Sequence, residues 1–179
     1  MTTQMTHFID EMDSPLGTLT IVATERGVCH ICFGDFQANK AMLHAWKKKQ
    51  GREGEMVHCE KTLRPICQQL EDYFSGKRHT FDIPLDLSGT VFQKKVWHSL
   101  MSIEYGKTRS YKEVAEEIGA PKAVRAIGGA NHNNPIPIII PCHRVIGSNG
   151  NMVGYGGGLD KKEILLSLEG AIKSLVRSL

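Results

Sequence analysis

Ser110-Tyr111-Lys112-Glu113-Val114-Ala115-Glu116-Glu117-Ile118-Gly119-Ala120-Pro121-Lys122-Ala123-Val124-Arg125-Ala126-Ile127-Gly128-Gly129-Ala130 reads as a helix, a turn and a second helix. Ser110 and Glu113 have capping-box spacing: the serine hydroxyl caps the first turn and the glutamate reaches back to the Ser110 amide. Val114, Ala115 and Ile118 then share a face, and Gly119 is the expected stop. Pro121 suits the first position of a second helix running to about Asn131, with Ala123, Val124 and Ile127 available for packing and Arg125 on another face. Such a pair is a helix-turn-helix candidate, although similar corners occur in proteins that never touch DNA. Its second helix is unusually bare, because Ala126, Gly128, Gly129 and Ala130 are all small and each glycine costs about 1 kcal/mol against alanine in a helix interior. Two explanations fit: close packing against another helix, or a surface that lets backbone approach a phosphate-sugar groove wall, with Arg125 as its long cationic probe.

Upstream, Thr90 to Met101 carries Val91, Phe92, Val96, Trp97 and Leu100, a broad apolar stripe that suits a core helix. Polar, Pro- and Gly-containing sequence from Gly76 to Gly89, with a short extended piece near Phe81 to Leu85, separates this half from the preceding one. The expected organisation is therefore residues 1–88 and 89–179. From His7 to Phe33, apolar and polar residues alternate between turn signals at Asp13-Ser14-Pro15 and Glu25-Arg26-Gly27, which predicts a small antiparallel sheet of three strands. Gln37 to Gln50 and Lys61 to Phe74 have helical character, and are expected on one face of that sheet. The fold class is α+β: a small antiparallel sheet with helices, then a mostly helical domain containing the helix-turn-helix.

Downstream lies Asn134-Pro135-Ile136-Pro137-Ile138-Ile139-Ile140-Pro141, too proline-rich for a helix and predicted to be a buried extended segment. It leads into Cys142-His143-Arg144. A thiol has an ordinary pKa near 8.5, so a reactive cysteine needs a base or a positive charge close by. Neighbouring side chains oppose each other in an extended chain and converge in a turn, so the spacing permits a Cys-His pair without requiring one. Gly147 to Gly158 holds six glycines around Tyr155. This is either a surface loop or a pocket wall of bare amides covered by the tyrosine; it matches neither a phosphate loop nor a dinucleotide fingerprint. A closing helix is expected from Asp160, with Glu163 at capping-box spacing, through Leu168 to Glu169.

The 179 residues can bury a sizeable core, and the net charge of +3 permits nucleic-acid binding without requiring it. Five cysteines without regular spacing, Cys29, Cys32, Cys59, Cys67 and Cys142, argue against a disulfide framework and for a reducing compartment. No apolar run approaches the roughly 20 residues of a membrane helix and no signal peptide is recognisable, so a cytoplasmic protein is expected.

Pro141-Cys142-His143-Arg144-Val145, preceded by Asn134-Pro135 and followed by the glycine loop with Tyr155, resembles the active-site signature of the O6-alkylguanine-DNA alkyltransferases. The match runs from about Thr90 to Gly170 and takes in Ser110-Tyr111 and the Ala123–Ala130 helix; Asp13-Ser14-Pro15-Leu16-Gly17 resembles the first hairpin of the family's amino-terminal, ribonuclease H-like domain. The resemblance implies repair of DNA by irreversible, stoichiometric transfer of an alkyl group from O6-alkylguanine to Cys142. It implies that His143 takes the thiol proton through a bound water, that Glu169 holds His143, and that Asn134 fixes the local turns. Arg125 would enter through the minor groove and fill the place of an extruded nucleotide; Tyr111 would push on the flanking phosphate and donate to guanine; Ala123, Ala126 and Gly128 would border the DNA. Val145, Tyr155, Gly156, Asn131 and Pro137 would line the pocket. Gly156 stands where some relatives have serine, and Asn131 where some have an apolar residue. Some relatives carry zinc in the amino-terminal domain, but Met5 and Thr24 stand where cysteines would be expected, so neither metal nor organic cofactor is expected. The expected partner is double-stranded DNA, bound by a monomer. Three rival readings are a lesion-binding protein that lacks the acceptor cysteine, a helix-turn-helix regulator and a cysteine hydrolase.

Overall fold

The computed structural model describes residues 3–152 and 154–172. The chain divides into two compact units, Met1–Gly89 and Thr90–Leu179.

The first unit runs β1 (Thr3–Gln4), β2 (His7–Met12), β3 (Leu19–Thr24), β4 (Gly27–Phe33), α1 (Phe36–Lys49), β5 (Arg52–Glu53), β6 (Met56–His58) and α2 (Glu60–Phe74). The predicted three-strand meander is present as β4-β3-β2, and β6 extends it beyond β2. That fourth strand is parallel, pairing His7 with Met56 and Ile9 with His58, so the sheet is mixed. Three residues are too few for an alternation to be legible, and the parallel sense follows from the long crossover through α1.

Helices cover both faces of the sheet, not the single face expected. Ile9 and Val22 pair across β2 and β3 and pack with Cys29 against Leu43 and Trp46 of α1. Asp10 and Ile21, the next pair along, point the opposite way, and Asp10 lies within electrostatic reach of Cys67 on α2. Every residue of β3 is accordingly buried. Of the extended piece near Phe81 to Leu85, a single bridge between Leu85 and Val28 forms.

A buried ion pair sits at one end of this unit. Arg52 grips both carboxylate oxygens of Asp86 at 3.0 Å, Thr24 donates to Asp86 Oδ2 at 2.6 Å, and Met5 Sδ lies 4.0 Å from the guanidinium. A thioether and a hydroxyl are poor zinc ligands, and here they border a guanidinium that already supplies the local positive charge. The residues therefore do not fit the zinc site of some relatives.

The second unit runs α3 (Val91–Met101), β7 (Arg109–Ser110), α4 (Tyr111–Glu117), α5 (Val124–His132), β8 (Val145–Ile146) and α6 (Leu159–Leu168). Thr90 and Gln93 form a capping box at the start of α3, and Ser110 and Glu113 form the predicted one at α4. Val96, Trp97, Leu100, Val114, Ala115 and Ile127 make the core, and Trp97 Nε1 donates to the Ala130 carbonyl at 2.8 Å. The second helix of the pair starts at Val124, not Pro121. Ala120 offers no side-chain cap, and Pro121 and Lys122 instead turn the chain, closed by Ala123 N–H to Ala120 O at 2.9 Å. Helix α6 likewise starts one residue before Asp160. Gly158, at φ 101°, occupies its cap position and no side chain caps it, so the Asp160–Glu163 capping box does not form. Strands β7 and β8 pair in parallel, Arg109 with Val145 and Ser110 with Ile146, which ties the start of α4 to the residues after Cys142.

Candidate active site

The run before Cys142 is buried as expected, but it is folded back into a turn and is not extended. Asn134 braces it from both ends: Oδ1 accepts from the Ile136 amide at 3.0 Å and Nδ2 donates to the Ile140 carbonyl at 2.8 Å. Ile140 N–H closes onto Ile136 O at 2.9 Å. At the apex Ile138 has φ 77°, a left-handed conformation that costs a non-glycine residue about 1–2 kcal/mol and persists only where its surroundings enforce it. Ile138 is fully packed, and that packing together with the Asn134 brace holds the turn.

Cys142–Arg144 form a single 3-10 turn, so the three side chains fan out and do not alternate. His143 Nε2 meets Glu169 Oε2 at 2.8 Å, with both side chains fully buried. Arg144 donates to the same carboxylate through Nε, 2.8 Å, and Nη2, 2.9 Å, and to the Ile103 carbonyl through Nη1, 2.6 Å. The Gly106 amide adds a fourth contact to Glu169 at 3.3 Å. An acid at the end of an apolar helix is ordinarily solvated; this one is buried because a guanidinium, an imidazole and an amide converge on it.

The protonation states follow. A carboxylate only accepts, so His143 Nε2 carries the proton. Burial pulls the imidazole below its ordinary range while Glu169 opposes the shift. The neutral ring then presents Nδ1 as an unprotonated acceptor, and that atom is buried without a protein hydrogen-bond partner. Burial pushes the Cys142 thiol up to about 11, opposed by the Asn134 side chain and the Lys162 charge. At neutral pH Cys142 is a protonated thiol, and the histidine next to it in the turn carries an unprotonated ring nitrogen.

Around it, Asn131 Nδ2 lies 3.4 Å from the Cys142 carbonyl and 3.5 Å from the Tyr111 hydroxyl. A Cβ built on Gly154 would fall 3.9 Å from that hydroxyl, so the glycine loop closes over Tyr111. Tyr155 is half-buried, Gly156 exposed, and Pro137 and Val145 buried. On α5, Arg125 and Ala126 are exposed and Ala123 is half-buried at the cap. A Cβ added at Gly128 or Gly129 meets nothing within 4 Å. Close helix packing therefore does not explain Gly128 and Gly129; α5 packs through Ile127 and the small Ala130 instead.

The structure thus gathers Cys142, His143, Glu169, Asn134, Asn131, Tyr111 and Val145 into one site and leaves Arg125 on the bare outer face of α5. Sequence reasoning assigned no role to Arg144 and missed Lys162, whose ammonium is buried among backbone carbonyls. The spacing of Lys162 from Leu165 and Leu166 marks the inner face of α6 and is the signal that finds it.

The model of the 6-O-methylguanine DNA methyltransferase DNA binding domain matches residues 91–171, and that of the 6-O-methylguanine DNA methyltransferase ribonuclease-like domain matches residues 9–87. The chain is 46% identical over 162 residues to the methylated-DNA–protein-cysteine methyltransferase of Methanosarcina barkeri, covering 90% of this chain and 96% of that one. It is 46% identical over 158 residues to the protein of the same name from Mycobacterium leprae, covering 88% and 89%. The crystal structure of Mycobacterium tuberculosis O6-methylguanine methyltransferase superposes with a TM-score of 0.78 at 39% identity, over 97% of this chain and 99% of that one. That of Mycobacterium tuberculosis OGT in complex with DNA gives 0.75 at 39%, over 93% of each. The fold and the comparisons together put the chain in the class of DNA-binding methyltransferases. The chain belongs to the 6-O-methylguanine DNA methyltransferase family.

Proposed function

We propose that Cys142 is the acceptor in this chain's reaction and takes the alkyl group of O6-alkylguanine in duplex DNA, once per molecule. DNA repair by alkyl transfer to a cysteine follows from membership of the family. The observation that carries Cys142 as that cysteine is its turn: Cys29 and Cys142 are both followed by a histidine, but it is His143 that is fixed by a buried carboxylate, Glu169, with burial keeping the ring neutral and Nδ1 left as the acceptor.

The thiol proton passes to His143 Nδ1 through a bound water, and Glu169 stabilises the imidazolium that results. The Cys142 sulfur attacks the alkyl carbon, the carbon–O6 bond breaks, and guanine departs with the electron pair and regains a proton, with Tyr111 as hydrogen-bond donor. The product is a thioether, which water does not hydrolyse under mild conditions, so the protein is consumed. The target base leaves the stack to reach the buried thiol. Arg125, projecting from a helix face stripped of side chains at Gly128 and Gly129 and flanked by Ala123 and Ala126, enters the minor groove and fills the gap. Tyr155, Gly156, Val145, Asn131 and Pro137 border the base. In this reading residues 89–179 are the DNA-binding and alkyl-acceptor domain, residues 1–88 a supporting domain, and the protein works as a monomer in the reducing cytoplasm, where the thiol stays reduced. A protein that only binds the lesion has no need of an acceptor cysteine.

The test is stoichiometry. Loss of O6-methylguanine from a duplex oligonucleotide is expected to rise one for one with protein added and then stop; continuing turnover would overturn the reading.

A further inference from the structure

Between α3 and β7 the chain turns at Tyr105 and Gly106, and this turn is pressed against the end of α6. The Lys107 amide closes it onto the Glu104 carbonyl at 3.0 Å, with Gly106 at φ 79°, a left-handed position that favours glycine in such a turn. A Cβ built on Gly106 would fall 3.1 Å from the Glu169 main-chain oxygen. The last carbonyls of a helix have no partner within it; Tyr105 supplies one, donating through Oη to the Leu168 carbonyl at 3.3 Å. Its ring also faces Arg144, with the guanidinium carbon 5.8 Å from the ring centroid, within the range of a cation–π contact. Ile103, two residues earlier, accepts from Nη1 of the same guanidinium. Tyr105 therefore holds both the backbone next to Glu169 and the cation that grips Glu169.

We infer that Tyr105 is a positioning residue for alkyl transfer: its ring sets the plane of Arg144, its hydroxyl steadies the last turn of α6, and together they keep Glu169 against His143. The inference rests on His143 as the base that takes the Cys142 proton. Glu169 is the cap residue of α6, and helix ends are the first parts of a helix to open. Its carboxylate is shared, with Oε2 accepting from His143 and both oxygens accepting from Arg144. A guanidinium free to swing would draw the carboxylate with it. An imidazole without its carboxylate is no longer held to one tautomer, and the nitrogen left to act as base is no longer fixed. A displacement of about 1 Å in such a relay can cost about 10²-fold in rate.

The test pairs kinetics with ring-nitrogen NMR of the histidine-labelled whole protein, the His143 signals being those lost in His143→Gln. In the parent, His143 is expected as a single tautomer protonated at Nε2; in Tyr105→Leu a mixture of both tautomers is expected. The single-turnover rate on O6-methylguanine duplex at saturating DNA, per folded molecule, should fall about tenfold in Tyr105→Leu, with half-saturation unchanged. Tyr105→Phe keeps the ring over Arg144 and loses one neutral hydrogen bond, so its rate should stay within about threefold of the parent, with one tautomer. If Tyr105→Leu does not fold, Tyr105→Met, which keeps the bulk without a ring, carries the same expectation. A Tyr105→Leu rate within about twofold of the parent, a loss of rate with His143 still in one tautomer, or equal losses in Tyr105→Phe and Tyr105→Leu would overturn the inference. The NMR sample contains no DNA, so failure of Cys142 to accept an alkyl group would be seen separately from failure of the tyrosine.

Discussion

Glu169 and His143 meet at 2.8 Å through Oε2 and Nε2, with neither side chain exposed. This one contact sets the tautomer of the imidazole and so decides which nitrogen faces away as a base. Glu169→Gln removes the charge that stabilises the imidazolium; transfer to the protein should slow by roughly 10²-fold or more, measured as the single-turnover rate on excess DNA. A rate within about twofold of the parent would show that Glu169 is merely structural.

Arg144 neutralises Glu169 through two nitrogens while its third holds the Ile103 carbonyl. Arg144→Met leaves a buried carboxylate without its cation and should destabilise the protein by about 3–5 kcal/mol in urea unfolding. Arg144→Lys should recover only part of this, because an ammonium cannot reproduce the bidentate fork.

The bare face of α5 separates stability from function. Gly129 is helical and a Cβ there meets nothing, so Gly129→Ala should stabilise the fold by about 1 kcal/mol while weakening repair if that face meets DNA. Arg125→Ala should slow repair of duplex DNA far more than reaction with O6-alkylguanine as the free base. Equal losses on both substrates would remove Arg125 from the proposed role.

Burial holds His7 and His30 down at about 4 and lowers His143 as well. Folded-state values below the ordinary 6.5 mean that the unfolded chain takes up protons first as pH falls. The stability these neutral rings contribute is present above 6.5 and is lost as pH drops toward 4. Unfolding free energy between pH 6.5 and 5 should fall by roughly 1 kcal/mol per pH unit for each histidine, and the double variant His7→Gln, His30→Gln should flatten that slope.

What was legible in the sequence was what is local. The Ser110–Glu113 box, the stop at Gly119 and the Val96, Trp97 and Leu100 part of the α3 stripe are written within one or two turns of helix, and they formed; Val91, at the first position of α3, is instead exposed and Phe92 half-buried. The start of α5 was misread because Pro121 suits a helix start and a turn equally, and the absence of a cap at Ala120 decided between them. The Asn134 turn was invisible because its hydrogen bonds come from one side chain to backbone, and nothing in an Ile-Pro run announces a left-handed Ile138. Burial of Glu169 depends on Arg144, His143 and Gly106, which are distant in sequence, so nothing in the periodicity of α6 marks it as buried. Strand β6, three residues long, gave too little alternation to read, and without it the sheet passed for purely antiparallel.

The acceptor role of Cys142 is tested most directly by intact-mass measurement after incubation with duplex DNA bearing one O6-methylguanine, followed by peptide mapping. The expected result is a gain of one methyl group per protein, carried by the peptide containing Cys142 and absent from Cys142→Ala. A methyl group on another cysteine, or repaired DNA with an unchanged protein mass, would contradict the account.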